Sequence, residues 1–303
     1  MQLPKTLVYT CILLVIFLSG CGDEQAPLRP EAEAVPYIVV VNNPLLYFAQ
    51  RLIGNEIDVR LLVPQGIDPA AWQPTVPDVL QLQGAELLLL NGAGYSNWLD
   101  KVSISPRNIV ITSEALKNRW LEMPDQLTHS HGPGAEHAHG DYAFTTWMDM
   151  SLAAKQAEAV AEALQKRWPR LADTVAARLL SLAADIDALD EGYRQQARRL
   201  AGRRIIYSHP VYQYFERRYQ LPGHSLHWEP DVMPSDEQWA ELQQMLSASS
   251  LFIWEGDPNA AIGARMVLEE LPFVVVDPAA NTSAKDWLSV QQDNLTRLSK
   301  IGV

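Results

Sequence analysis

The sequence predicts an α/β protein of two doubly wound parallel-sheet lobes joined by one long rigid α-helix. Three observations carry that prediction. Short runs rich in Val, Ile and Leu alternate with helical patterns in both halves of the chain, as parallel strands covered on both faces by helices require. Between the halves, residues 169–200 hold an unbroken helical period, with apolar residues at Leu171, Val175, Leu179, Leu182, Ile186, Leu189, Tyr193, Ala197 and Leu200. Polar residues, namely Asn42, Asn91, His209, Glu255 and Asp277, stand at the ends of expected strands, where open parallel sheets bind ligands.

Strands are expected at 37–41, 59–63, 86–90 and 108–111 in the first half, each bounded by Asn, Gly or Pro. Helices are expected at 45–53, 76–83 and 96–102. The long helix opens on Pro169, tolerated in a first turn, and closes on Gly202. At 1.5 Å per residue it is about 45 Å long, enough to run along a two-lobed body. The second half repeats the plan, with strands at 204–207, 225–227, 251–254 and 273–276 and helices at 211–219, 235–247, 259–271 and 284–301. The chain thus divides into an N-terminal segment 1–21, a polar tether 22–36, a first lobe 37–150, a helical segment 151–202 and a second lobe 203–303.

The 303 residues suit two domains of ordinary size, and 48% hydrophobic with 20% charged residues is a globular composition. A net charge of −12 argues against a nucleic-acid or anionic-lipid surface. The only cysteines are Cys11 and Cys21, so the body has no disulfide and any metal must be held by His, Asp or Glu. Lys5 precedes an apolar run at 7–18 that is too short to span a membrane and suits the core of a signal peptide. The run ends in Leu18-Ser19-Gly20-Cys21, which resembles the bacterial lipobox. That resemblance implies lipidation of Cys21 and an exported, membrane-anchored protein on the periplasmic face of a two-membrane cell. Gly22, in place of an aspartate that retains lipoproteins in the inner membrane, favours the outer one.

Four of the seven histidines fall in one segment, 128–141, as the His-x-His pairs His129/His131 and His137/His139. Neutral imidazole is a common zinc ligand, and a glycine-containing loop can gather several round one ion. A solvated loop that binds nothing is the plain alternative. His224 and His227 lie at the two ends of an expected strand and read as structural. Trp168, Trp239 and Trp287 read as core.

The residues together resemble the metal-binding proteins of bacterial ABC importers for zinc and manganese. The matching stretches are Gly66-Ile67-Asp68-Pro69 with Pro74 and Asp78, Asn91-Gly92, and Trp147-Met148-Asp149. Further on come Ser208-His209 with Tyr212, Tyr214 and Phe215, Glu229-Pro230 with Pro234-Ser235, Glu255, and Val276-Asp277-Pro278. The resemblance implies a monomeric, non-enzymatic binding protein that serves an ABC permease and ATPase, with zinc, or else manganese or a metal chelate, as its cargo. It also implies metal ligands, of which only His209 and Asp277 match. The family's first histidine falls on Ala70 and its second on Thr145. Glu255 is expected either to orient a ligand imidazole or to cap the following helix, and Asp277 has a capping role as its alternative.

Two ligands do not make a zinc site, which takes about four donors. One reading has the loop histidines fold into the cleft and complete the sphere, so that deleting the loop abolishes zinc binding. A second has the metal arrive chelated, with Trp72 and Trp147 as an apolar wall. A third leaves the cleft degenerate, with metal storage or another role at the membrane surface. A metal-dependent hydrolase is a more distant alternative, because no Gly-x-Ser-x-Gly elbow, body cysteine, phosphate loop or His-Glu-x-x-His is present.

Overall fold

The computed structural model describes residues 35–123, 141–281 and 284–302 in full and the backbone of 128–130 and 136–138. Cys21 with its signal segment, the tether as far as residue 34, His131 and His139 lie outside the described residues. Residues Pro36–Val303 form one compact unit.

The first sheet is built from β1 (Tyr37–Val40), β2 (Asp58–Leu61), β3 (Leu87–Leu90) and β4 (Ile109–Ile111), all parallel, in the order β2-β1-β3-β4. The central β3 is four consecutive buried leucines, as a strand covered on both faces demands. Helix α1 (Asn43–Ile53) follows β1 directly; the Asn42 side chain caps it by accepting the Leu45 N–H at 3.1 Å. Helix α2 (Val76–Gly84) opens with a reciprocal Thr75/Asp78 cap. The helix expected at 96–102 is a short 3-10 turn, Asn97–Lys101. Within the histidine segment, β5 (Thr128–Ser130) and β6 (Glu136–Ala138) pair antiparallel, with His129 opposite His137.

Between the sheets lies a helical hairpin. Helix α3 (Met150–Arg167) turns through Trp168 and a 3-10 turn, Pro169–Leu171, into α4 (Ala172–Leu200). The expected long helix is therefore present, with its first turn tightened at the proline. Its 29 residues span about 43 Å. The buried positions Val175, Leu182, Ile186, Leu189, Tyr193, Ala197 and Leu200 follow the expected stripe, whereas Leu179 is only partly covered.

The second sheet repeats the first in order β10-β9-β7-β8, from β7 (Arg204–Tyr207), β8 (Gly223–Ser225), β9 (Ser250–Trp254) and β10 (Phe273–Val275). Its helices are α5 (Gln213–Tyr219), α6 (Asp236–Met245), α7 (Ala260–Leu268) and α8 (Trp287–Ser299). β8 begins two residues before the expected 225–227. Gly223 lies so close to the Tyr207 ring and the Ile205 carbonyl that any Cβ would collide with them, and the glycine lets the edge strand start there.

One apolar core runs through the first lobe, both spine helices and the spine-facing side of the second lobe. A smaller cluster, including Trp228, Trp239, Phe252 and Trp254, fills the other side of the second sheet. Backbone and side-chain bonds also tie the lobes. Asn43 N–H donates to Ala280 O at 2.9 Å, Trp147 Nε1 donates to Pro278 O at 2.8 Å, and the Tyr214 hydroxyl donates to Ala143 O at 2.9 Å.

Candidate metal centre

Each sheet has one point where the winding reverses, between β1 and β3 in the first lobe and between β7 and β9 in the second. Such points open a crevice at the carboxyl ends of the strands. In the first lobe the crevice is filled by amides that satisfy one another. Asn91 Nδ2 donates to Phe144 O at 2.8 Å, and its Oδ1 accepts from Gln156 Nε2 at 3.0 Å and from the Thr146 hydroxyl at 3.2 Å. Gly92 follows with φ 91°, in a spot where a Cβ would strike Ser113, Ile111 and Trp120. The Asn91-Gly92 pair is thus a packing device.

The second lobe's crevice is chemically different. Ser208 N–H donates to Ile253 O at 2.8 Å, the Glu255 N–H donates to Ser208 Oγ at 3.1 Å, and Trp228 N–H donates to Ser208 O at 2.8 Å. These bonds hold the ends of β7, β9 and the extension of β8 side by side. They place buried His209 (3% exposed) between Glu229 and Glu255, with its Nδ1 at 3.2 Å from Glu229 Oε1 and 3.3 Å from Glu255 Oε1. The ligand atoms of the three residues lie within 4.8 Å of one another, and they form a three-residue donor group among the described residues. Metal–ligand bonds of about 2.0–2.2 Å put neighbouring donors about 3.0–3.5 Å apart, so the His209 separations are those of ligands on one ion.

The electrostatics agree. Burial works against a charged His209, but Glu229 and Glu255 outweigh it and push its pKa up to about 10. Glu255 is itself raised, first by burial and then by the charges of Glu229 and Asp68, against the lowering effect of His209. Asp68 belongs to the first lobe, so both lobes contribute negative charge to a cleft that calls for a cation.

Asp277 does not join this donor group. It ends β10, one strand further from β7, where its Oδ1 accepts the Ala279 N–H at 2.7 Å and its own N–H donates to Asn294 Oδ1 at 3.0 Å. Burial raises its pKa, opposed by the Ala279 bond. It is not a helix cap, since Asp286 caps α8. Glu255 is not one either, because Asn259 caps α7. The two substituted positions are committed elsewhere. The Thr145 hydroxyl donates to Val211 O across the lobes at 2.7 Å, and Ala70 N–H donates to Asp68 Oδ1 at 2.9 Å. Trp147 is fully buried and stacks edge-on with Tyr95, and Trp72 packs edge-on with Trp98, so both are core. His224 and His227 are exposed.

The family described as "ZnuA: Zinc-uptake complex component A periplasmic" matches residues 38–301. The chain belongs to this family. The zinc-binding lipoprotein AdcA of Streptococcus pneumoniae is 20% identical over 300 residues, covering 95% of this chain, and the chain spans 59% of that protein's length. The high-affinity zinc uptake system protein ZnuA of Bacillus subtilis is 23% identical over 245 residues, covering 78% of this chain and 74% of its own. Among solved structures, the metal-dependent lipoprotein YcdH of Bacillus subtilis superposes with a TM-score of 0.73 at 18% identity, covering 87% of this chain and 97% of that one. At that identity the likeness carries the fold, two α/β lobes on a helical spine. Glu229 was legible only as part of a family motif. Its place beside His209 depends on the β8 extension, whose alternation Leu226-His227-Trp228-Glu229 is too short to show which strand it follows.

Proposed function

We propose that this ZnuA-family protein is the solute-binding lipoprotein of an ABC-type metal importer, capturing zinc, with manganese as the alternative cargo, and delivering it to a permease and ATPase. A family defined by a zinc-uptake component supports a binding role rather than a catalytic one. The observation that carries the reading is buried His209 held between Glu229 and Glu255, with donor spacings that suit one ion. One imidazole and two carboxylates suit zinc, and their oxygen share admits manganese. Asp277 is proposed as outer negative charge. His129, His131, His137 and His139 are proposed as a loading set that raises the local zinc concentration. Export and anchoring through Cys21 complete the reading.

Metal analysis of the mature protein purified without chelators, with a zinc titration of the apo form, tests it. About one tightly held ion that is lost in His209→Ala is expected. A wild-type protein that takes up neither zinc nor manganese overturns the proposal.

A further inference from the structure

Resting on the metal-capture reading, we propose that His227 is a metal ligand and that the second lobe by itself carries a two-histidine, two-carboxylate centre. Beyond β8 burial alternates along the chain: Leu226 and Trp228 are buried, His227 is exposed and Glu229 is half-buried. Leu226 N–H donates to Tyr207 O at 2.9 Å and Trp228 N–H donates to Ser208 O at 2.8 Å, so the segment continues along β7 to His209. Side chains in extended chain alternate between faces. Leu226 and Trp228 are buried in the apolar cluster on one face, so His227 and Glu229 share the other, on which Glu229 reaches His209.

Ring geometry places His227 with the same group. Its ring centre is 5.9 Å from that of His209, with the planes at 80°. Two imidazoles bound to one tetrahedral ion through nitrogens about 2.0–2.1 Å away have ring centres about 5–6 Å apart. His227 stands outside the three-residue donor group as it is placed here and would turn its ring toward that group to share an ion with His209; its exposure places it on the solvent side of the buried imidazole. His209, His227, Glu229 and Glu255 make four donors, the number a closed zinc site takes. They come from three adjacent strand ends of one sheet, so neither Ala70 nor Thr145 leaves a gap to fill. His224, two residues from the buried Leu226 and with that residue's parity, is on the opposite face and serves as the control.

Cobalt(II), a spectroscopically visible substitute for zinc, tests the assignment in the mature full-length protein. The wild type should show the intense visible bands of a four-coordinate ion. His227→Ala should lose that spectrum and weaken competitive zinc binding by about 100-fold or more, while its metal-free form still unfolds in one cooperative transition. His224→Ala and a deletion of 128–141 should both keep the cleft spectrum. Wild-type affinity and spectrum in His227→Ala overturn the proposal while leaving the capture reading intact, provided His209→Ala still loses the ion. Loss of the spectrum on deleting 128–141 overturns it too, since the second lobe would then not suffice. A wild type that binds neither cobalt nor zinc removes the capture reading, and this inference with it.

Discussion

At His209 a proton and a metal ion compete for one electron pair, because the two carboxylates that would share the ion also hold the proton in its absence. With the pKa pushed up to about 10 despite burial, the metal must displace a proton across the whole physiological range. The sequence alone, using the ordinary imidazole value of about 6.5, places weakening of zinc binding only below that pH. The structure moves it upward: zinc affinity should rise about tenfold per pH unit between about pH 7 and 9, with about one proton released per ion. Calorimetry in buffers of different ionisation enthalpy measures that proton count. A pH-independent affinity in this range would contradict it. The same shift fixes the sign for stability. Since the folded value lies above the unfolded one, the stabilisation from protonated His209 is fully present below about pH 6.5 and is lost as pH rises through about 10. The melting temperature of the metal-free protein should therefore fall over that interval, and the fall should be absent in His209→Asn.

At the scale of the element, the spine is pinned to the second lobe through Asp149. Its carboxylate caps α3 by accepting the N–H groups of Ser151 at 2.9 Å and Leu152 at 3.3 Å, and the same group faces Arg119, Arg218 and Arg217 at 3.4, 3.5 and 3.8 Å. Asp149→Ala removes a cap and one counter-charge from the partly exposed Arg119, Arg217 and Arg218, the last of which keeps Asp190, so a loss of about 1–2 kcal/mol is expected in urea unfolding. Zinc affinity should be retained, since the Asp149 carboxylate is taken up by the α3 cap and by Arg119, Arg217 and Arg218. Gly92→Ala combines positive φ with a collision and should cost about 1–3 kcal/mol by the same measurement. These elements also show what the sequence made legible. The strands stood out because burial on both faces writes them as runs such as Leu87–Leu90. Helix α4 stood out because its stripe is built from large residues. Its partner α3 was absorbed into a helical segment without bounds, since it buries Ala153, Ala157 and Ala161, whose small side chains leave a faint period. His209 and Glu255 could be named from the strand ends they follow. Glu229 and His227 escaped as donors because their common face is set by two backbone bonds to β7, invisible in composition.

At the scale of the whole molecule, a continuous core and several cross-lobe bonds oppose wide hinge movement. The Asn281 amide alone donates to both Pro64 O and Ile67 O at 2.7 Å. Solution scattering curves recorded with and without zinc should nearly superimpose, and a change in radius of gyration of several per cent would show a hinge that these contacts do not allow. Anchoring is a separable property. Pro36–Val303 is compact by itself, and among the described residues no helix is long and apolar enough to cross a membrane. The lipid attachment proposed for Cys21 rests on its place after the apolar run in Leu18-Ser19-Gly20-Cys21, and replacing that residue takes away the proposed site of acylation. Acyl chains bind bilayers through about 0.8 kcal/mol per buried methylene, so losing them removes the whole driving force at once. In cells, Cys21→Ser should move to the soluble exported fraction with the melting temperature and zinc affinity of the lipid-free mature protein. If the variant still sediments with membranes after a high-salt wash, some other surface holds the protein there and the lipoprotein assignment fails.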